Sequence, residues 1–242
     1  MIFELSGSRL RVVGTLHLLP PTGTLPAWVR SAYDWSEAVF VEHSPVDFLR
    51  LAQVVETPRA ESVSPAFWSR LQGLAATLPL PLERLQLGAA VVLALGSRVQ
   101  GIAGVDSALH DWCARDRKTF GFIEQAAELL QALDGVSESE WATGLDAEMR
   151  LAESPATQLQ RFYDLWRKGR LDGIAAASRR GLFSVAAIRR QMLAGRNRAW
   201  AARYTEPAQR TLVAVGAAHL VGEGNLLEEL ARVSGRPVRR IV

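Results

Sequence analysis

Four short apolar runs punctuate the chain, and each stops at, or just ahead of, a histidine or a glutamate. Leu10-Arg11-Val12-Val13 leads into Gly14-Thr15-Leu16-His17, and Leu212-Val213-Ala214-Val215 leads into Gly216-Ala217-Ala218-His219, so a G-x-x-H signature stands near both ends. Ala38-Val39-Phe40-Val41 stops at Glu42, and Thr119-Phe120-Gly121-Phe122-Ile123 stops at Glu124. Short runs rich in β-branched and aromatic residues predict buried strands, as in a largely parallel sheet. Strands are expected at 9–13, 38–41, 118–123, 211–215 and 238–241, with 118–123 central. Met1–Leu5 adds a strand joined to 9–13 through the turn Ser6-Gly7-Ser8, a hairpin.

Between the strands the pattern turns helical. Thr24, with Pro26 in the first turn, is expected to open a helix carrying Trp28, Ala32 and Trp35. Residues 47–95 read as helices, with Ser64-Pro65 as one start and Leu85–Leu95 apolar on every side and therefore buried. Asp106 is placed as the cap of a helix over 107–117, and Ser137 with Glu140 forms a capping box. Ser154-Pro155 begins a helix that runs to Gly169, and further helices cover 184 to about 204 and 225–233. The expected fold is α/β: a mixed, largely parallel sheet with flanking helices, one domain over 1–242 with helical insertions at about 46–100 and 137–205.

Composition narrows the class. A chain of 242 residues with 48% hydrophobic and 22% charged residues is an ordinary globular protein large enough for a sizeable core. The net charge is only +3, but residues 161–242 hold 16 Lys+Arg against 6 Asp+Glu, so the last third is basic and the remainder acidic. Lys118 and Lys168 are the only lysines, which makes arginine dominance a genome-level habit more than a sign of guanidinium chemistry. The single Cys113 rules out an internal disulfide and a thiolate cage. No apolar run is long enough to span a bilayer, and the start lacks the basic and apolar regions of a secretory signal, so a cytoplasmic protein is expected.

In open α/β sheets, ligands collect beyond the carboxyl ends of the strands. If the four runs are parallel neighbours, His17, Glu42, Glu124 and His219 face one crevice, and two imidazoles with two carboxylates are donors that Zn, Mn, Fe or Co accept. His43, next to Glu42, joins them only if the strand has already ended, because adjacent side chains on a strand point to opposite faces. Glu124 also stands at a helix start, where the N–H groups favour a carboxylate without any metal. Arg189, Arg190, Arg196, Arg198 and Arg203 give one helix a basic face, but no nucleic-acid recognition motif accompanies it, so nucleic acid is not an expected partner.

The two G-x-x-H motifs, Phe40-Val41-Glu42, Gly104-Val105-Asp106 ahead of Gly121-Phe122-Ile123-Glu124-Gln125, the Arg196-Asn197 pair and Val215-Gly216-Ala217-Ala218-His219-Leu220-Val221-Gly222 together resemble the TraB/GumN family. That family is related to the TIKI Wnt proteases and, more distantly, to erythromycin esterase-like and ChaN-like proteins. The likeness runs from Val12 to Ile241, and its closing motif is its most specific part. It implies a hydrolase, as a peptidase, dependent on a divalent ion (Mn, Co or Zn) held by His17, His219, Glu42 and Glu124, acting on a peptide or a small ester. Glu42 or Glu124 would be the general base, with Arg196 binding a substrate carboxylate or oxyanion and Asn197 donating a hydrogen bond. Two alternatives remain: a metal-independent esterase with a histidine base, and a binding or regulatory protein for haem or peptide. Family members are often exported or membrane-anchored, which implies export if the natural chain begins further upstream.

Overall fold

A computed structural model of the protein describes residues 1–53, 63–75 and 81–242. Parts of the helical stretch expected over 47–95 therefore lie outside the described residues. The main sheet contains β1 (Ile2–Leu5), β2 (Leu10–Thr15), β4 (Ala38–Val41), β6 (Thr119–Phe122), β7 (Thr211–Gly216) and β8 (Val238–Arg240), in the order β6-β4-β7-β2-β1-β8. β6, β4, β7 and β2 run parallel, while β1 pairs antiparallel with β2 and β8. The fold is thus α/β with a mixed, mostly parallel sheet. A second, two-stranded sheet pairs β3 (Leu18–Leu19) with β5 (Ile102–Ala103).

The hydrophobic pattern explains the centre of this order. In β7 every residue from Thr211 to Val215 is buried, as continuous apolar strands covered on both faces must be. β6 differs from its expected place: it pairs only with β4 and forms an edge, with Thr119 and Phe122 exposed. Edge and centre share one local pattern, and only the chain's crossovers decide between them.

Two apolar clusters result. One is built on the sheet and includes Val12, Val13, Tyr33, Trp166, Trp200, Leu212 and Val213. The other is helical and gathers side chains from the helices Pro45–Ala52, Pro65–Leu74, Leu87–Ser97, Ala126–Asp134 and Glu138–Met149. Leu87–Ser97 is the helix expected to be apolar all round, and Gly88, Ala89, Ala90, Val91 and Ala94 are buried in it. Trp166, fully buried, donates its indole N–H to the Gly14 carbonyl at 2.8 Å and so ties the helix Pro155–Arg167 to the end of β2. No helix among the described residues is long and apolar enough to cross a membrane.

Several helix starts agree with the sequence: Ser64, Ser137, Ser154 and Asn225 each cap the helix that follows. Two do not. The helix Ala27–Trp35 starts after Pro26 with no side-chain cap, and the Thr24 backbone instead exchanges hydrogen bonds with the Tyr163 hydroxyl. The stretch expected as one helix over 184–204 is a 3₁₀ turn, a short α-helix Ala186–Arg189, a π-helical turn Arg190–Gly195 and the α-helix Arg196–Arg203.

Candidate functional site

Because β6, β4, β7 and β2 are adjacent and parallel, their carboxyl ends open on one edge of the sheet. Glu124, Glu42, His219 and His17 follow these ends in that order across the sheet. Pairing continues past the strands, with Ile123 N–H donating to the Val41 carbonyl and Glu124 N–H to the Glu42 carbonyl, which sets the two glutamates side by side. His219 stands on a 3₁₀ turn, Ala217–Leu220, directly after β7. His17 is fixed by the loop before the helix Val105–Asp116, where Gly104 N–H donates to the His17 carbonyl and Val105 N–H to the Leu16 carbonyl, both at 3.0 Å.

That last contact corrects the expected role of Asp106. Loop carbonyls already take the first amides of the helix, Gly104 is its N-cap, and Asp106 falls inside the first turn. Its carboxylate is then free to meet His17 Nδ1 at 2.5 Å.

Arg196 occupies the middle of the site, buried to 8% exposure. Its Nε donates to both Glu124 oxygens at 3.1 Å, and its Nη2 to Glu124 Oε1 at 2.5 Å and Glu42 Oε2 at 2.7 Å. Nη1 reaches the Met192 carbonyl at 3.1 Å, inside the π-helical turn, and approaches His219 Nε2 at 3.4 Å. Trp200 completes the enclosure of Glu124 by donating its indole N–H to Oε2 at 3.0 Å. The Trp200 ring also stacks at a tilt on His219, with centroids 4.6 Å apart, and lies under the Arg196 guanidinium. Glu124 is therefore the forked partner of an arginine; the helix that follows it is capped by Gln125 and Glu128.

Glu42 presents its other oxygen differently. Oε1 accepts the Gly216 N–H at 2.7 Å and lies 3.7 Å from Nε2 of both His17 and His219. Each imidazole is held from behind by an oxygen on Nδ1: Asp106 for His17, and Asn197 Oδ1 at 2.7 Å for His219. Asn197 is fixed in turn by donating to the Gly224 carbonyl at 2.9 Å. A Cβ on Gly216 would lie 3.2 Å from Glu42 Oε1 and 3.3 Å from His17 Nε2, so a side chain there would fill the space the three groups share. Among the described residues Glu42, His43 and Glu124 form the one group in which a ligand atom from each lies within 4.8 Å of the others. His43 Nδ1 is buried with no hydrogen-bond partner among the described residues, and Glu124 Oε1 lies 4.0 Å from it.

The electrostatics separate these groups. Burial lowers His219 to about 3 and His43 to about 4, with Arg196 adding to both, so these imidazoles are neutral at neutral pH. Desolvation also works against a proton on His17, but Asp106 and Glu42 outweigh it and raise the value to about 9. Its side chain, at the mouth of the site, is 59% exposed. Burial disfavours the Glu42 carboxylate, yet His219, Arg196 and His17 together hold it well below the usual range. At neutral pH the charges that do so are on Arg196 and His17, since His219 is neutral there. Burial raises Glu124 against the pull of Arg196.

All six residues singled out from the sequence, His17, Glu42, Glu124, Arg196, Asn197 and His219, thus lie within one connected set of contacts. His43, Asp106 and Trp200 belong to it as well. A motif search can flag Asp106 through Gly104-Val105-Asp106, but nothing local to Trp200 distinguishes it from a core tryptophan. The profile of the TraB/PrgY/gumN family matches the chain over residues 2–235. No curated protein and no solved structure matches it.

Proposed function

The chain belongs to the TraB/PrgY/gumN family, and on that premise we propose that it is a hydrolase of peptide or ester bonds dependent on a divalent metal ion. One observation carries the reading: Glu42 Oε1 lies 3.7 Å from Nε2 of both His17 and His219. An oxygen behind each Nδ1 holds the proton of that nitrogen and leaves Nε2 as the ligating atom of the neutral ring, the usual arrangement of ligating histidines. His17, Glu42 and His219 would hold the ion.

A bound divalent ion would polarise a carbonyl and lower the pKa of a water molecule. The residues supply the remaining chemistry. Glu124, raised by burial against the pull of Arg196, is the glutamate outside the proposed ligand set and so the candidate general base. Arg196 keeps a fixed positive charge beside the reacting centre, where it offsets negative charge that develops on a carbonyl oxygen. Asn197 positions His219.

A second reading places the ion between Glu42, His43 and Glu124, and the unpartnered Nδ1 of His43 favours it. Arg196 weighs more heavily against it, since its Nη2 already donates to both of those carboxylates, whereas among His17, Glu42 and His219 it donates to the one carboxylate, through the oxygen turned away from the histidines. Metal analysis of untagged protein separates the two. His17→Ala and His219→Ala should each lose bound Mn, Co or Zn while His43→Ala retains it, and hydrolysis of a peptide and ester library should follow the metal. Loss of metal in His43→Ala with retention in both other variants would move the site. Hydrolysis that survives exhaustive chelation would favour a histidine base instead.

A further inference from the structure

His17, Glu42 and His43 line two cavities. One, of about 610 Å³, opens between the helix Val105–Asp116 and the edge strand β6, and its wall includes Ser44, Asp106, Ser107 and His110. The other, of about 350 Å³, lies between the sheet and the helical cluster. Among the described residues that line it, every side chain apart from Thr15 and the polar group His17, Glu42, His43, Arg196 and His219 is apolar. Phe48, Val92, Leu129, Leu133, Phe183 and Met192 come from five helical segments, so the helical cluster forms one wall of the cavity and the polar group closes one end.

Thr15 adds a second, independent sign. It is fully buried, its hydroxyl has no partner among the described residues, it lines this cavity, and it pairs in register with Gly216 beside the polar group. A buried hydroxyl without a partner is costly unless something supplies one.

Resting on the hydrolase reading above, we infer that the smaller cavity is the subsite for an apolar group of the substrate. The group is a medium-length alkyl chain or an aromatic side chain of roughly ten non-hydrogen atoms, at about 30 Å³ for each. The group enters past the histidines, the polar atoms beside the scissile bond meet Thr15 and the His17–Glu42–His219 cluster, and the remainder of the substrate lies in the open cleft. Apolar lining gives affinity and the few polar groups give orientation, the common division of labour in small-molecule sites.

The test has a binding arm and a turnover arm, both on the full chain as purified. In calorimetry, decanoate should bind at least tenfold more tightly than butyrate, and Met192→Trp and Val92→Phe, which fill the cavity from different helices, should each erase that difference. In turnover, p-nitrophenyl esters from two to sixteen carbons should gain roughly fourfold in kcat/KM per methylene until the cavity is full near ten carbons. Peptides bearing phenylalanine or alanine next to the scissile bond decide whether the apolar group is an acyl chain or an amino-acid side chain. Equal binding of decanoate and butyrate, or a preference untouched by both cavity-filling variants, overturns the inference. Decanoate binding that both variants block, with no ester or peptide cleaved, upholds the apolar subsite and removes the hydrolase reading. Cleavage with no dependence on chain length does the reverse.

Discussion

Charge counting around Arg196 shows an excess of carboxylate. Glu42, Glu124 and Asp106 face one guanidinium, and the proton on His17, raised to about 9 by Asp106 and Glu42 against desolvation, offsets one of the two negative charges that remain. A divalent ion at His17, Glu42 and His219 displaces that proton, so binding and deprotonation are linked. The apparent affinity for Mn or Zn should therefore rise about tenfold per pH unit from pH 7 and level off near 9. Asp106→Asn removes the partner that raises His17, and the levelling point should move down toward the ordinary histidine value of about 6.5. Above that point, loss of the oriented Nδ1 contact should still cost about 10–100-fold in affinity. Competition titrations from pH 6 to 10 read both effects, and a levelling point still near 9 in the variant would show that Asp106 does not set it.

At the scale of elements, local signals were legible and their assembly was not. Apolar runs ending at His17, Glu42, Glu124 and His219 marked the four parallel strands, because β-branched continuity is a local property. The place of β6 at the edge was not legible, since it depends on which crossover covers which side. Asp106 was misplaced as a cap for a similar reason: its helix has its first amides satisfied by the Leu16 and His17 carbonyls, a contact between segments almost ninety positions apart. The π-helical turn before Arg196 leaves no compositional trace, yet its Met192 carbonyl accepts from the Arg196 guanidinium. The loop contact at Gly104 makes its own prediction. A Cβ there would come within 2.0 Å of the Leu16 carbonyl, which is backbone and cannot swing away. Gly104→Ala should push the His17 loop off the helix, lower metal affinity as strongly as Asp106→Asn, and destabilise the fold by about 1–3 kcal/mol, in line with overpacking. Ser107→Ala, one turn further along, is the control that should change neither.

For the whole molecule, the site sits where the sheet cluster meets the helical cluster, so its protonation bears on the stability of both. His219 and His43 have folded values of about 3 and about 4, below the unfolded value near 6.5. The unfolded chain takes up protons that the folded one refuses, and stability is lost as pH falls from 6.5 through these values. His17 has the opposite sign: raised to about 9, it contributes stability that is fully present below 6.5 and lost as pH rises through 9. The Met1 ammonium, lowered from 8.0 to about 5 by burial, offsets the His17 loss up to pH 8, so metal-free protein should melt highest between about pH 6.5 and 8 and lower on either side. A metal at His17, Glu42 and His219 takes over the balancing charge, so its stabilisation should be largest on the alkaline side. At a hundredfold excess over Kd it amounts to about 2.7 kcal/mol, or roughly 5–10 °C in Tm for a chain of this size. Thermal melts from pH 4 to 10, with and without Mn or Zn, read the prediction. His17→Ala should flatten the alkaline limb and abolish the metal response, while His43→Ala should soften only the acid limb. A metal response that persists in His17→Ala and vanishes in His43→Ala would assign the ion to Glu42, His43 and Glu124, with Arg196 displaced from between the two carboxylates.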